Sequence, residues 1–182
     1  MKKFFFLILF NLIFFSSSFS TERENELNNL FKKLKENNFQ IAKETEQEIW
    51  KIWSTHPTDR ELTKILEEGS TLVNNNQLSE AINIFTKVIE IDPNWAEAWN
   101  KRATVLYMIG DFQESQKDIN KVLELEKRHF GALAGQGLVN IQLQNYEKAI
   151  KSYERAQKIY PSMESPKIMI EKINKLIKMQ LI

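Results

Sequence analysis

The sequence lacks cysteine entirely. This absence excludes disulfide bonds, thiol catalysis and lipid modification of a cysteine, so the fold must be stabilised by packing alone. The chain also lacks an excess of charge of one sign, because 25 basic and 24 acidic residues give a formal net charge of +1. Lysines and glutamates are mixed along every segment, which is typical of a solvated helical surface. The overall charge therefore favours neither nucleic acid nor an acidic substrate as a partner.

Side chains suited to catalysis are scarce. His56 and His129 are the two histidines available as bases at neutral pH, and His56 precedes a proline in a predicted loop. No Ser/His/Asp set, metal-ligand cluster or glycine-rich phosphate loop can be assembled from local spacing. We therefore predict a non-enzyme with no catalytic residue, no cofactor and no metal site. The alternative is a hydrolase or transferase that uses His129 with a carboxylate, but an inter-repeat turn commonly holds solvated polar residues.

The first twenty residues have the composition of an export signal. Two lysines precede an apolar run over residues 4–15, and Ser18 and Ser20 have the small-residue spacing that signal peptidases prefer. A run of about 12 residues is well short of the roughly 20 that a membrane-spanning helix needs. We predict a signal peptide over residues 1–20, cleaved after Ser20, and a periplasmic or secreted mature protein without stable membrane insertion. Retention as an anchor is the alternative.

The central part of the chain repeats with a period of 34 residues. Residues of one kind recur at equivalent positions, which is the signature of a repeat architecture. These sets are Ile65, Trp99 and Leu133; Gly69, Ala103 and Gly137; Ala81, Ser115 and Ala149; and Phe85, Ile119 and Tyr153. Apolar residues within each unit are three or four apart, and a polar break divides the unit. Each unit is therefore predicted to be a hairpin of two helices.

The turns and small residues of the repeat have predicted roles. We expect Gly110 to end a helix in the left-handed conformation and Asp111 to cap the next helix. Glycine inside a helix costs about 1 kcal/mol relative to alanine, and close helix packing would explain that cost. The residues predicted to face each other are Gly69, Ala103 and Gly137 on the first helices and Ala81, Ser115 and Ala149 on the second.

These units resemble tetratricopeptide repeats (TPR). The resemblance rests on W-x3-A-x2-L from Trp99, on G-x2-L…A-x3-F…P from Gly69, and on A-x3-Y…P from Ala149. It implies an all-α fold, an α-solenoid of three helical hairpins within residues 61–163. The predicted units are residues 62–95, 96–129 and 130–163. Two residues depart from the family pattern: Lys127 stands in place of proline, and Asn140 stands in place of an apolar residue.

Both flanking segments are predicted to cap the repeats. Residues 21–60 contain a helical pair, whose second helix runs from about Phe39 to Trp53. Trp50 and Trp53 either cap the first repeat or form an aromatic patch for a partner, and capping is the simpler interpretation. The spacing of Thr58 and Glu61 matches a capping box that starts the first repeat.

The C-terminal residues 164–182 are predicted to form a capping helix. Ser165 is placed as its N-cap, with Pro166 at the first helical position. A stripe of apolar residues would face the third repeat, with lysines over the remaining surface. The stripe consists of Met169, Ile173, Leu176 and Ile177.

The resemblance implies an extended concave face lined by the first helix of each unit. Positions three or four apart that packing does not use are the candidate partner-binding residues. They are Thr63, Leu66, Ser70 and Val73 in unit one; Glu97, Asn100, Thr104 and Tyr107 in unit two; and Gly131, Ala134, Leu138 and Ile141 in unit three.

The predicted partner is a protein or peptide segment held in this groove. Gly131 and Ala134 would allow close approach, and Asn100 could pair with a peptide amide and carbonyl. Chaperone-binding members of the family grip a terminal carboxylate with lysines and arginines, whereas the equivalent places here carry Leu66, Ser70, Gly131 and Gly135. The alternatives are a groove filled by the chain's own ends, and a self-associating structural protein of the cell envelope that forms homo-oligomers.

Overall fold

The computed structural model describes residues 22–36 and 38–180. Within these ranges the chain forms nine helices and no strand, which confirms the predicted all-α fold. The predicted signal peptide lies outside the described residues. The helices are α1 (residues 22–34), α2 (Phe39–Ser54), α3 (Arg60–Asn74), α4 (Leu78–Ile91), α5 (Ala96–Met108), α6 (Phe112–Leu125), α7 (Phe130–Gln142), α8 (Tyr146–Ile159) and α9 (Glu164–Gln180).

The helices pack as a row of hairpins. The pairs α3–α4, α5–α6 and α7–α8 are the three repeat units, each hairpin packs on the next, and α9 packs on α8. The predicted α-solenoid is therefore confirmed. Buried apolar clusters lie within and between successive units, and Tyr153 with Ile173 joins the last unit to α9.

Glycine is needed where a large aromatic ring crosses the paired helix. A Cβ atom added to Gly69 would lie 2.5 Å from the Phe85 ring, and one added to Gly137 would lie 2.5 Å from the Tyr153 ring. In the middle unit the equivalent pair is Ala103 and the smaller Ile119. The prediction of close helix approach is confirmed, but in the outer units the glycine meets the aromatic ring four residues beyond Ala81 or Ala149.

The turns between paired helices share one backbone conformation. Asn76, Gly110 and Gln144, each 34 residues from the next, have φ angles of 60°, 84° and 58°. The left-handed conformation predicted at Gly110 is confirmed and recurs in every unit. The cap predicted at Asp111 is also confirmed, because its carboxylate accepts a hydrogen bond from the Glu114 backbone N–H.

Two predicted helix caps are wrong. The first repeat is capped by Asp59 instead of Thr58, because the Asp59 carboxylate lies 2.8 Å from the backbone nitrogen of Glu61. Helix α9 begins at Glu164, so Ser165 and Pro166 lie in its first turn. The apolar stripe of α9 is also narrower than predicted, since Ile173 is buried but Leu176 is 42% exposed.

The N-terminal pair α1–α2 does more than cap the first repeat. It lies along the turns that join successive units and contacts the final residue of each unit. The Trp95 indole N–H donates to the Trp53 carbonyl at 2.8 Å, the His129 ring stacks on Trp53 at 4.0 Å, and Met163 packs on the same aromatic cluster. Trp95, His129 and Met163 are equivalent positions, so one helical pair braces the whole row.

Candidate partner-binding surface

The cleft between α5 and α7 is the open part of the predicted concave face. It has a volume of about 80 Å³. Its rim residues are Asn100, Thr104 and Tyr107 from α5 and Gly131, Gly135 and Leu138 from α7, over a floor that includes Ala103, Ile119 and Val139. The structure thus brings together five of the predicted residues. Gly135, which was not among the predicted residues, also lines the cleft. The nearest atom to a Cβ added at Gly135 would belong to Ile119, at 3.7 Å, so there is free space above this glycine.

Polar groups of α5 lie on one side of this cleft. The Asn100 amide donates to a Glu97 carboxylate oxygen at 3.1 Å, and the Thr104 hydroxyl donates to the Asn100 backbone carbonyl at 2.9 Å. The Tyr107 hydroxyl accepts from the Gln142 amide at 3.4 Å. The side-chain carbonyl of Asn100 makes no hydrogen bond within the described residues, so it remains available as an acceptor.

The α7 side of the cleft is apolar. Leu138 is 37% exposed although it is a leucine on the inner surface of a solenoid. Together with the space over Gly135, it offers a partner a site where an apolar side chain can be buried. Each fully buried side chain of this kind contributes about 1.5–3 kcal/mol.

Two of the predicted binding residues are buried and do not belong to the surface. Leu66 is 1% exposed and packs in the core of the first unit, and Glu97 is 1% exposed. Helical spacing placed both on the inner face, but it could not show that Leu66 packs with residues of α4 and α5 or that Glu97 contacts the buried His129. The Glu97 carboxylate lies 3.1 Å from the His129 ring and 3.4 Å from the Lys101 ammonium.

The chain itself covers the end of the cleft at Gly131 and other parts of the predicted surface. Trp50 of α2 lies against Gly131, where an added Cβ atom would be 2.5 Å from the ring. Ala134 and Ile141 pack with the cluster that joins α8 to α9. The groove is therefore covered by the chain's own helices at the third unit, while the cleft beside Leu138 stays open.

The other three predicted residues of the first unit are half-buried and contact residues near them in the sequence. The Thr63 hydroxyl accepts from the His56 backbone N–H at 2.9 Å, and the Ser70 hydroxyl donates to the Leu66 carbonyl at 3.0 Å. Val73 packs beside the first-unit core. These three residues do not join the cleft.

His129 is a structural residue, and the expectation of a solvated turn is wrong. Its side chain is fully buried, and Nδ1 accepts the Ala132 backbone N–H at 3.0 Å, which caps α7. Because Nδ1 is the acceptor, Nε2 carries the proton and donates to Glu97. The aromatic residues around it, Trp50, Trp53 and Phe130, leave no room for a substrate.

Metal-binding side chains are not grouped in the part of the chain that the structure describes. There, no three residues among histidine, aspartate and glutamate lie together as the ligands of a metal ion would. Over the same ranges, every helix is too short or too polar to traverse a lipid bilayer.

This architecture, three helical hairpins with a recurring left-handed turn and small-residue contacts, defines a class of helical-repeat solenoids. Profiles described as Tetratricopeptide repeat match residues 66–94 and 101–164, together more than half of the chain. The chain belongs to the tetratricopeptide repeat family, as its sequence pattern predicted.

Individual relatives show the same repeat. A TPR repeat-containing protein of Rhizobium etli is 29% identical over 84% of this chain and 74% of its own length. Hsp70-Hsp90 organizing protein 1 of Glycine max is 27% identical over 60% of this chain, which spans only 20% of that protein.

Solved structures share the fold. The first TPR domain of Spaghetti (RPAP3), solved with an HSP90 peptide, aligns with a TM-score of 0.63 at 24% identity, covering 64% of this chain and 93% of that domain. MamA aligns with a TM-score of 0.61 at 22% identity, covering 79% of this chain and 81% of that protein. At these identities the likeness shows the fold alone.

Proposed function

We propose that this protein is an exported adaptor that binds a peptide segment or protein partner in the cleft between α5 and α7. The observation that carries the proposal is the open cleft itself. Neighbouring parts of the concave face are covered by α2 or pack towards α9, whereas Leu138 stays exposed beside the unpaired carbonyl of Asn100. A bound segment would bury an apolar side chain there and donate a backbone N–H to Asn100.

Peptide binding by relatives supports this proposal. The Spaghetti domain is solved with an HSP90 peptide, and the TPR2B domain of yeast Sti1 is described as a complex with Hsp70. The α5–α7 cleft of this chain differs from a carboxylate-gripping site because none of the described residues on its rim is a lysine or arginine. We infer that its partner presents an internal segment, and that amidation of a peptide's C-terminus leaves affinity unchanged.

We also propose that the chain is exported and has no catalytic activity. The lysine pair, apolar run and small residues before Thr21 support cleavage after Ser20 and a periplasmic or secreted location. Fractionation of cells that produce the chain tests its location, and mass determination of its N-terminus tests cleavage after Ser20. A full-length chain in the cytoplasm would overturn the export proposal.

Site-directed photo-crosslinking tests the cleft. A crosslinking amino acid at Leu138 should capture a partner from an extract of the source cells, whereas the same group at Ile91, which is 54% exposed elsewhere, should not. Substituting Asn100→Ala with Tyr107→Ala should weaken that capture without changing the melting temperature. Equal capture at both positions, or a loss of binding that only accompanies unfolding, would contradict the assignment.

Self-association is a second candidate because α9 has apolar residues exposed on its outer face. Ile168, Leu176 and Met179 are 47%, 42% and 70% exposed. A second copy could cover this face and form a homo-oligomer. Light scattering over a range of concentrations tests this candidate: the mass should rise with concentration and fall again in Leu176→Lys. A constant monomer mass would exclude it.

A further inference from the structure

A second groove lies on the side of the repeats opposite the α5–α7 cleft. It is formed by α6, α7 and α8 and has a volume of about 450 Å³. Gln136 and Asn140 contribute to it, and each is two residues from Leu138 along α7. Two residues are more than half a helical turn, so these amides project from the opposite face of α7. A ligand in this groove would not compete directly with one in the cleft.

The floor of this groove is a chain of hydrogen-bonded amides. Asn140 donates to Gln116 at 3.2 Å, Gln116 donates to Asn120 at 2.8 Å, and Gln136 donates to Asn120 at 3.4 Å. The Ser152 hydroxyl then donates to Gln136 at 3.0 Å. Asn140, which departs from the family's apolar residue, is 5% exposed and belongs to this network. The network fixes the side chains of three helices and makes the floor polar.

Three cationic side chains line one wall. Lys148, Lys151 and Arg155 are exposed residues of α8, and their spacing of three and four places them on one face of the helix. Within the described residues none of the three makes an ion pair or hydrogen bond with a side chain. Among the residues that the structure describes, no carboxylate lines the groove. Although the net charge of the whole chain is near zero, this wall of the groove therefore has a local excess of positive charge.

In the preceding unit, carboxylates neutralise the cations of the equivalent region. There Lys117 pairs with Glu114, and Arg102 holds Asp118 through two hydrogen bonds of 2.7 and 2.8 Å. One repeat later, Lys148 stands in place of Glu114 and Ser152 in place of Asp118. The third unit therefore lacks both carboxylates. It keeps cations at two equivalent positions, Lys151 for Lys117 and Arg155 for Lys121, whereas Gln136 stands in place of Arg102.

We propose that the groove between α6 and α8 binds an acidic peptide segment of a partner protein. Lys148 and Arg155 are seven residues apart, about 10 Å along the helix, which matches about three residues of extended peptide. Carboxylates of that segment would accept charge-assisted hydrogen bonds from the cations. Asn120 and Asn145 have side-chain N–H groups without a partner in the described residues, and these suit peptide carbonyls. Nucleic acid fits less well, because three cations neutralise few phosphates.

Fluorescence anisotropy with a defined probe tests the proposal. The probe is a fluorescein-labelled octapeptide in which glutamate alternates with serine, and its counterpart carries glutamine in place of glutamate. The full mature chain should bind the acidic peptide, bind the glutamine peptide far more weakly, and lose affinity as NaCl is raised. Substituting Lys148→Glu introduces the carboxylate that unit two has at the equivalent position, Glu114, and should weaken binding about tenfold or more.

Two matched variants show whether binding depends on the cations of this groove. Lys117→Gln removes the cation at the position equivalent to Lys151 and should leave binding unchanged, as should Leu138→Asp in the α5–α7 cleft. Thermal melting by circular dichroism should show that Lys148→Glu remains folded. Equal affinity of wild type and Lys148→Glu, no binding of the acidic peptide, or tighter binding of single-stranded DNA than of the peptide would each overturn the proposal.

Discussion

At the scale of single residues, packing at the helix crossings depends on matched size. Gly69 lies under Phe85 and Gly137 under Tyr153, while alanine suffices under Ile119 in the middle unit. In each unit, the smaller the residue at this position of the first helix, the larger the side chain 16 positions later on the second helix. Burial also raises the pKa of the Tyr153 hydroxyl. This phenol is enclosed without a hydrogen-bond partner in the described structure.

A methyl group at position 137 should therefore destabilise the fold. Gly137→Ala would place a Cβ atom 2.5 Å from the Tyr153 ring, and such overpacking costs about 1–3 kcal/mol, more than the roughly 1 kcal/mol gained in helix propensity. Gly135→Ala is the matched control, because its Cβ atom would meet Ile119 at an ordinary 3.7 Å. Urea unfolding should show Gly137→Ala destabilised and Gly135→Ala neutral or stabilised. Equal stability of the two variants would contradict this account.

At the scale of helices, Arg128 attaches α1 to the second inter-repeat turn. It forms two hydrogen bonds of 2.8 Å with Glu126 and contacts Glu24 and Asn28 of α1 at 3.0 and 2.6 Å. Its guanidinium lies 4.6 Å from the Phe31 ring centre. Although burial alone would raise the pKa of the Glu126 carboxyl, the hydrogen bonds and charge of Arg128 outweigh it and the pKa is lowered.

This lowered pKa predicts that docking of α1 weakens in acid. A carboxyl group whose folded pKa lies below its unfolded value of about 4.3 contributes its full stabilisation above that pH, and loses it as the pH falls through the folded pKa. Hydrogen exchange of α1 amides, corrected for intrinsic rates, should therefore accelerate below about pH 4. Glu126→Gln should accelerate it already at neutral pH and flatten the pH dependence.

Glu124→Gln is the control for this experiment. Glu124 pairs with Lys121 on the exposed surface at 3.0 Å and does not contact α1, so its substitution should leave the profile of α1 unchanged. A wild-type profile that stays flat from pH 7 to pH 3 would show that the Glu126–Arg128 pair does not hold the helix.

The sequence predicted the elements well but not the place where α1–α2 docks. Spacing of apolar residues identified the second N-terminal helix from Phe39 to Trp53, and the structure extends it by one residue. Docking depends on contacts such as Tyr160 with Glu46, whose atoms lie 3.1 Å apart across more than a hundred residues. Periodicity reports only which residues are near in sequence. The sequence feature that could have indicated the docking site is the large side chain at the last position of each unit, Trp95, His129 and Met163.

The geometry of the candidate binding surface was predictable only in outline for the same reason. Helical register predicted that Asn100, Thr104, Tyr107 and Leu138 lie on one face, and in the structure the four residues line one cleft. It could not anticipate that Trp50 would cover Gly131, because that contact joins residues far apart in the sequence. The groove of α6–α8 was also hidden, since its cations were indistinguishable from the mixed charges of a solvated surface until the neighbouring carboxylates were located.

At the scale of the whole molecule, the α1–α2 pair links repeats that otherwise contact only their neighbours. Stability in a repeat array is normally a sum of unit and nearest-neighbour contributions. Here Trp53, 5% exposed, touches Trp95, His129 and Phe130. The brace thereby couples the first unit to the third.

Removing this brace should make the repeats unfold less cooperatively. Trp53→Ala would leave a large cavity costing about 3–5 kcal/mol, and hydrogen exchange measured by mass spectrometry should rise at both inter-repeat turns and at the turn before α9. Trp99→Ala is the comparison, because Trp99 packs against the clusters on either side of α5 but does not belong to the cluster around Trp53. Its effect should stay in the helices next to α5 and should not reach the turn at Met163. Local effects from both substitutions would refute the coupling.

The match between α2 and the last residue of each unit restricts how this chain can change by gene duplication. A tandem copy of one hairpin would move the residues that follow it, including those equivalent to Trp95 and His129, away from their contacts with α2. Helix α2 has a fixed length and could not reach them. The added hairpin would also lack a partner along that edge. Families of open solenoids vary freely in repeat number, whereas descendants of this gene should keep three hairpins unless the leading helices lengthen too.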